Sequence, residues 1–306
     1  MIVCFDIGGS AIKGAVAHPS AHAEDRVEPM GRWPTPLDDF DAFTRTLANV
    51  IAKAGSRPDR IAISITGVVD PDSQVIKCAN IPCIDGRRLS AELAERLGLP
   101  VLVANDADCF ALAEAGAGAG RGHRIVLGAI LGTGVGGGLV VDGRLINAEG
   151  GFAGEWGHGP AVAAQAGTPP VAIPVFDCGC GQRGCVDTVG GARGMERLHQ
   201  VLHGKTLASE EITQSWQEGD AAAARTIEVL VDLVASPLAL TINITGATIV
   251  PVGGGLSKVA PLIARIDETV RSRTLRQFDR PLVVPGECRI EPGLIGAALL
   301  GLGESG

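Results

Sequence analysis

The sequence contains no tyrosine, and its aromatic residues amount to 3%: three tryptophans and seven phenylalanines in 306 residues. Stacking rings are therefore scarce, and 26 basic against 34 acidic side chains leave a net charge of −8. Together these argue against nucleic acid as the main partner, since such binding draws on cationic surface and ring stacking. A long uninterrupted apolar run is also missing. Residues 125–141 carry no charge, but repeated glycines break them in the manner of a strand–loop–strand and not of a membrane span. The start has no basic region, apolar core or cleavage site of a secretion signal; Met1-Ile-Val-Cys-Phe5 opens a strand at once. The expected location is the cytoplasm, where eight cysteines read as reduced thiols or metal ligands and not as a disulfide framework.

Glycine, in contrast, is abundant, with 43 residues, about twice the usual share. It is clustered, not periodic. Apolar residues make up 46%, enough for a sizeable core, and the length suits two domains of ordinary size. Strand and helix patterns alternate in both halves, which predicts an α/β protein. Residues 1–17 read as a hairpin with a glycine tip, 38–54 and 107–115 as helices, and 60–65 and 101–104 as strands. Ser90 is placed as the cap of a helix over 91–97, ended by Gly98. Asp220 is expected to cap a longer helix with Ile227, Leu230, Val231, Val234 and Leu238 on its apolar face, kinked or ended by Pro237. The glycine-rich stretch 116–122 reads as a boundary between lobes. No repeat is visible at the level of residues.

Three glycine turns and one acidic turn carry possible chemistry. Asp6-Ile-Gly8-Gly9-Ser10 sets a carboxylate beside a turn whose N–H groups can face phosphate oxygens, although an ordinary hairpin turn has the same composition. Gly132-Thr133-Gly134 lies between two apolar runs. The second run, Leu139-Val-Val141, reads as a strand, so the helix-opening turn of a dinucleotide site is excluded. Two such tips, one per lobe, suit a triphosphate clamped between lobes. Gly253-Gly254-Gly255 follows a strand and precedes a helix, where backbone can approach a base or ribose or simply turn tightly. Asn105-Asp106 sits where a strand meets a helix; the pair suits a cap, and equally a carboxylate kept ionised by the helix dipole to act as general base.

The cysteines Cys178, Cys180 and Cys185 are three thiols in eight residues separated by glycines, a pattern that fits zinc ligands. His158 is the candidate for the fourth position, giving a closed and hence structural site. Glu155, three residues before it, would share a face with it in a helical turn, and zinc on His158 would then orient Glu155. Cys4, Cys78, Cys83, Cys109 and Cys288 read as small buried residues.

These residues together resemble the ROK family (repressors, open reading frames, kinases) of the actin-like ATPase superfamily, over essentially the whole chain. The likeness rests on Asp6-Ile-Gly-Gly9, on Asn105-Asp-Ala-Asp-Cys-Phe-Ala-Leu-Ala-Glu114, on the turn at 132–138, and on Gly154-Glu-Trp-Gly-His158 followed by the cysteine cluster. Within the family, the 105–114 block, the long insert between His158 and Cys178, and Glu211 to Asp220 are similar to bacterial N-acetylglucosamine kinases. The resemblance implies a two-lobed, ribonuclease H-like fold with a structural zinc loop. The expected division is 1–120 with the first phosphate loop and catalytic Asp106, 121–290 with the second phosphate loop, zinc and adenosine sites, and 291–306 as a helix returning to the first lobe.

It further implies transfer of the γ-phosphoryl group of MgATP to the 6-hydroxyl of N-acetyl-D-glucosamine, with Asp106 as base. Asn80, Asn105, Glu155, His158 and Asp187 would contact the sugar. Asp6 would assist the metal ion. Gly8, Gly9, Ser10, Gly132, Thr133 and Gly134 would hold phosphates, and Gly253, Gly254 and Gly255 would line the adenosine site. Lobe closure would keep water from the phosphoryl group. Sugar and ATP are the expected partners, in a homodimer without nucleic acid or membrane. N-acetylmannosamine or another hexose is an alternative acceptor. A sugar-sensing regulator without a DNA-binding domain is the alternative of another class, and a catalytically dead sugar binder a third.

Several positions depart from the family pattern. Ser10-Ala11 replaces Thr-Lys or Thr-Asn, with a lysine at Lys13 instead, a loop similar to that of relatives using polyphosphate. Asp187 stands for the usual glutamate, Thr66-Gly67 for Pro-Gly, and Thr245-Gly246 for Asp-Pro. Pro251 removes an N–H from an expected inner strand.

Overall fold

Strands Ile2–Ile7 (β1) and Ala11–Ala17 (β2) form the expected antiparallel hairpin around the first glycine pair, with Asp6 directly opposite Lys13. The computed structural model describes residues 1–19, 27–288 and 291–303; residues 20–26 of the expected first segment and 304–306 of the last lie outside them. After β3 (Val27–Pro34) comes helix α1 (Phe40–Ile51), where Asp39 accepts the N–H groups of Asp41 and Ala42 as its cap. Next follow β4 (Ile61–Ile65), the small hairpin β5 (Val68–Val69) and β6 (Ile76–Lys77), α2 (Leu89–Leu97), β7 (Val101–Asn105) and α3 (Asp106–Ala117). Ser90 is not the cap of α2. It sits within the first turn and donates to the carbonyl of Val101, while Gly98 ends the helix in the left-handed conformation as expected.

The first sheet has the order β3-β2-β1-β4-β7, with β1, β4 and β7 parallel. Its alternation decides what packs where. Val3, Phe5, Ile7, Ile61, Ile63 and Ile65 face a core shared with Phe43 and Leu47 of α1 and Leu93 of α2. Ile2, Cys4 and Ala62 face the opposite side, against Leu294, Ala297 and Ala298 of the last helix, α9 (Pro292–Leu302). The small residues of α9 are there for proximity. A Cβ on Gly296 would fall 2.0 Å from the backbone oxygen of Cys109 in α3.

The second sheet comprises β8 (Ile125–Leu131), β9 (Val135–Val141), β10 (Arg144–Leu145), β13 (Val250–Gly253) and β14 (Val283–Pro285), in the order β10-β9-β8-β13-β14. A short hairpin, β11 (Gln165–Ala166) with β12 (Val171–Ala172), lies in the insert. In each sheet three consecutive strands are neighbours and the later strands add beyond the first of them. The repeat that residues do not reveal is present in the topology. Pro251 has a structural account here. Ile249 bridges Val126 and Val252 pairs with Ala129, which places Pro251 opposite Gly128 in a gap between these pairings. The missing N–H thus falls where the ladder is interrupted.

Helices α4 (Asp187–Gly190), α5 (Ala192–His203), α6 (Ser209–Gln217), α7 (Ala221–Thr245) and α8 (Ala260–Arg273) complete the chain. Asp220 caps α7 through the N–H of Ala223, and the expected apolar face is buried. The helix continues past Pro237 to Thr245 instead of ending there, and Gly246 closes it. Among the described residues α7 is the one helix long and apolar enough to cross a membrane, yet twelve of its side chains form core.

Packing divides the chain into two units, one of residues 1–124, 138–153 and 287–306, the other of 125–137 and 154–286. The stretch 138–153, expected in the second segment, therefore groups with the first. A Cβ on Gly138 would lie 2.8 Å from Cα of Asp108, and Asn147 bonds the Asp108 carboxylate.

Candidate functional site

In the first unit, the ends of parallel strands gather the expected residues, the usual location of ligand sites in such sheets. Asp106 is the first residue of α3 and its carboxylate is exposed. Asn105 is the cap: its side-chain oxygen accepts the N–H of Ala107 at 2.8 Å, and its amide donates to the carbonyl of Gly67 at 2.9 Å. Asn80 donates to the hydroxyl of Thr66 at 3.3 Å, and the Asn80 carbonyl oxygen would lie 3.2 Å from a Cβ on Gly9. Thr66-Gly67, which departs from the family pattern, is thus the piece that holds both asparagines. Ser10 at the tip of the hairpin is exposed.

Asp6 is engaged by residues that its motif does not announce. Its Oδ1 accepts from the Ser64 hydroxyl at 3.1 Å, and its Oδ2 lies 3.1 Å from Nζ of Lys13, which also reaches Glu291 at 2.7 Å. Burial alone would lower the pKa of Lys13, but the hydrogen bond to Glu291 and the charge of Asp6 outweigh it and raise the value. Ser64 had a readable signal, the alternation that sets it beside Asp6 in the parallel pair. Glu291 had none, being 278 residues from its partner.

In the second unit, the turn 132–134 rests on the start of α5: Ala192 N–H donates to the Gly132 carbonyl at 2.8 Å and Arg193 N–H to that of Thr133 at 3.3 Å. Gly254, with φ +86°, presses against the same turn; a Cβ there would be 2.6 Å from the Gly132 nitrogen. Gly253 ends β13, and Gly255 opens a short 3-10 turn before α8, so the helix begins later than its sequence pattern implies. Two of the expected glycine turns therefore meet.

Asp187 lies at this meeting point as well. Its Oδ1 accepts the Val135 N–H at 2.8 Å and its Oδ2 is 3.7 Å from the Cys178 sulfur. Glu155 and His158 are joined by one hydrogen-bonded turn, not a helix: the His158 N–H donates to the Glu155 carbonyl at 3.1 Å. Nε2 of His158 lies 3.8 Å from the Glu155 carboxylate. Burial raises the pKa of Glu155, with the His158 side chain opposing and the Asp187 charge adding to the rise.

The donor atoms of His158, Cys178, Cys180 and Cys185 all lie within 4.8 Å of one another. Sγ of Cys180 and Cys185 are 3.7 Å apart, as are Sγ of Cys178 and Nδ1 of His158. Tetrahedral zinc with Zn–S bonds of about 2.3 Å requires sulfur separations near this value, so the donor set fits the ion. Burial pushes the Cys178 thiol up to about 12, whereas the Gln182 N–H lowers Cys180; a central cation would favour thiolate at all three. Zinc on Nδ1 of His158 would leave Nε2 as an N–H donor on the Glu155 side.

Comparison with known proteins agrees in family and extent. The profile of the ROK family matches residues 2–304. The chain is 35% identical to an N-acetylgalactosamine kinase of Shewanella sp., over 97% of this chain and 96% of that protein. It is 32% identical to an N-acetyl-D-glucosamine kinase of Pasteurella multocida, over 98% and 99%. Among solved structures, a ROK hexokinase from Thermus thermophilus superposes with TM-score 0.82 at 29% identity, covering 98% of this chain and 97% of the other. A ROK family glucokinase from Streptomyces griseus, solved with glucose and AMPPNP, gives TM-score 0.71 at 26% identity, covering 98% of both chains.

Proposed function

The chain belongs to the ROK family as a sugar kinase, and on that premise we propose that it phosphorylates the 6-hydroxyl of N-acetyl-D-glucosamine with ATP. The observation that carries the reading is Asp106, an exposed carboxylate on the first residue of α3, with Asn105 fixed as the cap behind it. The helix dipole keeps such a carboxylate ionised and able to accept a proton.

In this reaction Asp106 takes the proton of the 6-hydroxyl as that oxygen attacks the γ-phosphorus and the bond to the β,γ-bridging oxygen breaks, releasing ADP. Asn80, Asn105, Glu155, His158 and Asp187 orient the sugar. The turns 8–10 and 132–134 offer backbone N–H groups to phosphate oxygens, and 253–255 line the adenosine. Asp6 would assist the Mg²⁺ that accompanies ATP, an ion that would offset phosphate charge. His158, Cys178, Cys180 and Cys185 hold a structural zinc that fixes the ring of His158 and, through it, Glu155. The reading carries with it a cytoplasmic homodimer acting on free sugar, without nucleic acid or membrane.

A second acceptor, N-acetylgalactosamine, is favoured by one observation: the Shewanella relative named for it is 35% identical, against 32% for the Pasteurella N-acetylglucosamine kinase. The test is sugar-dependent ADP release with MgATP over glucose, mannose, allose, N-acetylglucosamine, N-acetylgalactosamine and N-acetylmannosamine, with Asp106→Asn alongside. Preference for one acetamido sugar, lost in the variant, supports the reading and names the acceptor. Silence over the panel, with sugar still raising the melting temperature, would replace it with a sensor.

A further inference from the structure

The proposed reaction leaves Lys13 without a role, and its surroundings supply one. The hairpin register sets Lys13 directly opposite Asp6, with Asp6 two residues before Gly8 and Lys13 three after Ser10 along the chain. Its ammonium is held at 3.1 Å from Asp6 and 2.7 Å from Glu291. An ammonium has three protons; two are directed to these carboxylates, and among the described residues the third meets no further acceptor. The side chain is 33% exposed, so this third donor is within reach of solvent and ligand.

The cluster is also built at some cost. Glu291 takes φ +48°, a left-handed conformation that residues with a Cβ avoid, and Lys13 bonds the side chain of that residue. Two carboxylates and one ammonium sum to a single negative charge. That charge repels a bare phosphate chain, and a divalent ion bound to the chain offsets much of the repulsion, so the group suits a metal-bound polyphosphoryl compound better than a bare one.

We propose that Lys13 is a donor-binding residue: held between Asp6 and Glu291, its ammonium bonds a phosphate oxygen of the magnesium-bound phosphoryl donor. The inference rests on the kinase reading and adds to it the residue that sets donor affinity. Asp6 and Glu291 place the ammonium beside the glycine turn, and Asp6 remains close enough to serve the donor's metal ion.

The test compares the wild type with Lys13→Arg, Lys13→Met and the double variant Lys13→Met/Glu291→Gln. The double variant removes one charge of each sign and keeps the cluster's net charge, so folding is less disturbed than by Lys13→Met alone. Calorimetry with a magnesium-bound, non-hydrolysable ATP analogue reads binding even without turnover; sugar binding and melting temperature are measured in parallel. Loss of one charge-assisted hydrogen bond predicts a rise of about 10- to 100-fold in the dissociation constant of the analogue, and in KM for ATP. Sugar affinity should stay within about twofold, and Lys13→Arg should retain most of the donor affinity.

A folded double variant that binds the analogue as the wild type does would overturn the proposal. So would equal loss of sugar and analogue affinity, the mark of a purely structural role. Lys13-dependent analogue binding without turnover on any sugar would uphold this inference and sink the kinase reading alone. If inorganic polyphosphate binds in place of the ATP analogue, the same comparison is read with polyphosphate. Binding of neither compound to the wild type ends both proposals.

Discussion

The side-chain amide of Asn147 donates to both oxygens of the buried Asp108 carboxylate, at 3.1 Å each, while its own oxygen accepts the N–H of Ala153 at 3.1 Å. One residue thus ties α3, two positions beyond Asp106, to the stretch 147–153. Asn147→Ala removes a donor from a carboxylate that is only 3% exposed. The expected loss is about 1–3 kcal/mol of unfolding free energy, read as a lower urea midpoint. A variant as stable as the wild type would show that water replaces the amide.

Asp106→Asn should leave the fold intact, since the side chain is exposed and the cap is Asn105. The chemical step should slow by about 10²- to 10⁴-fold, the usual contribution of a general base. Steady-state kinetics with the preferred sugar checks this. Unchanged melting temperature with reduced kcat is the expected pair of results, and a kcat within threefold of the wild type would assign the base elsewhere.

Zinc content is predicted at about one ion per chain. Elemental analysis of dialysed protein should find it, and should find little in Cys180→Ser or Cys185→Ser. Because zinc on these donors would fix the 178–185 loop, chelation should lower the melting temperature by about 5 °C or more, on a scale of 2–4 °C per kcal/mol. Metal-free protein with an unaltered melting curve would contradict the assignment.

The fold should weaken in mild acid through His199. This ring is 1% exposed, bonded at Nδ1 to the Thr226 hydroxyl at 2.9 Å and packed, tilted by 53°, with its centroid 4.8 Å from that of the His203 ring. Burial lowers its pKa, His203 and Lys205 acting the same way and Asp220 opposing. The unfolded chain therefore binds a proton that the folded one resists. The contribution of the neutral ring is complete above the ordinary histidine value of about 6.5 and is lost as pH falls below it, with a slope of at most about 1.4 kcal/mol per pH unit. Denaturation series between pH 5 and about 7.5 should show this slope, and His199→Gln should flatten it.

How much of this was legible in the chain follows from which interactions are local. The hairpin at Gly8-Gly9, the caps Asn105, Asp220 and Gly98, and the grouping of His158 with three cysteines all rest on residues close in sequence or on chemistry with few alternatives. The role of Ser90 was misread because a hydroxyl near a helix start serves a cap or a distant carbonyl equally, and only the tertiary position of Val101 decides. Pro237 did not stop α7, since burial of the apolar face beyond it outweighs one lost hydrogen bond. Lys13 with Glu291 and Asp108 with Asn147 were invisible for the same reason, their partners being brought together only by the finished sheet and its covering helices.

Helix α9 has a consequence for the order in which the protein can be made. The face of the first sheet carrying Ile2, Cys4 and Ala62 is covered by Leu294, Ala297 and Ala298, so β1 is completed by a helix that is made much later. On the ribosome that face stays wet until Pro292–Leu302 has emerged. Cotranslational folding can therefore finish the core behind α1 and α2 early, but the layer around Asp6 only after α9 has emerged. A nascent chain stalled before Pro292 would present an uncovered sheet to chaperones, and this is the vulnerable interval in the life of the molecule.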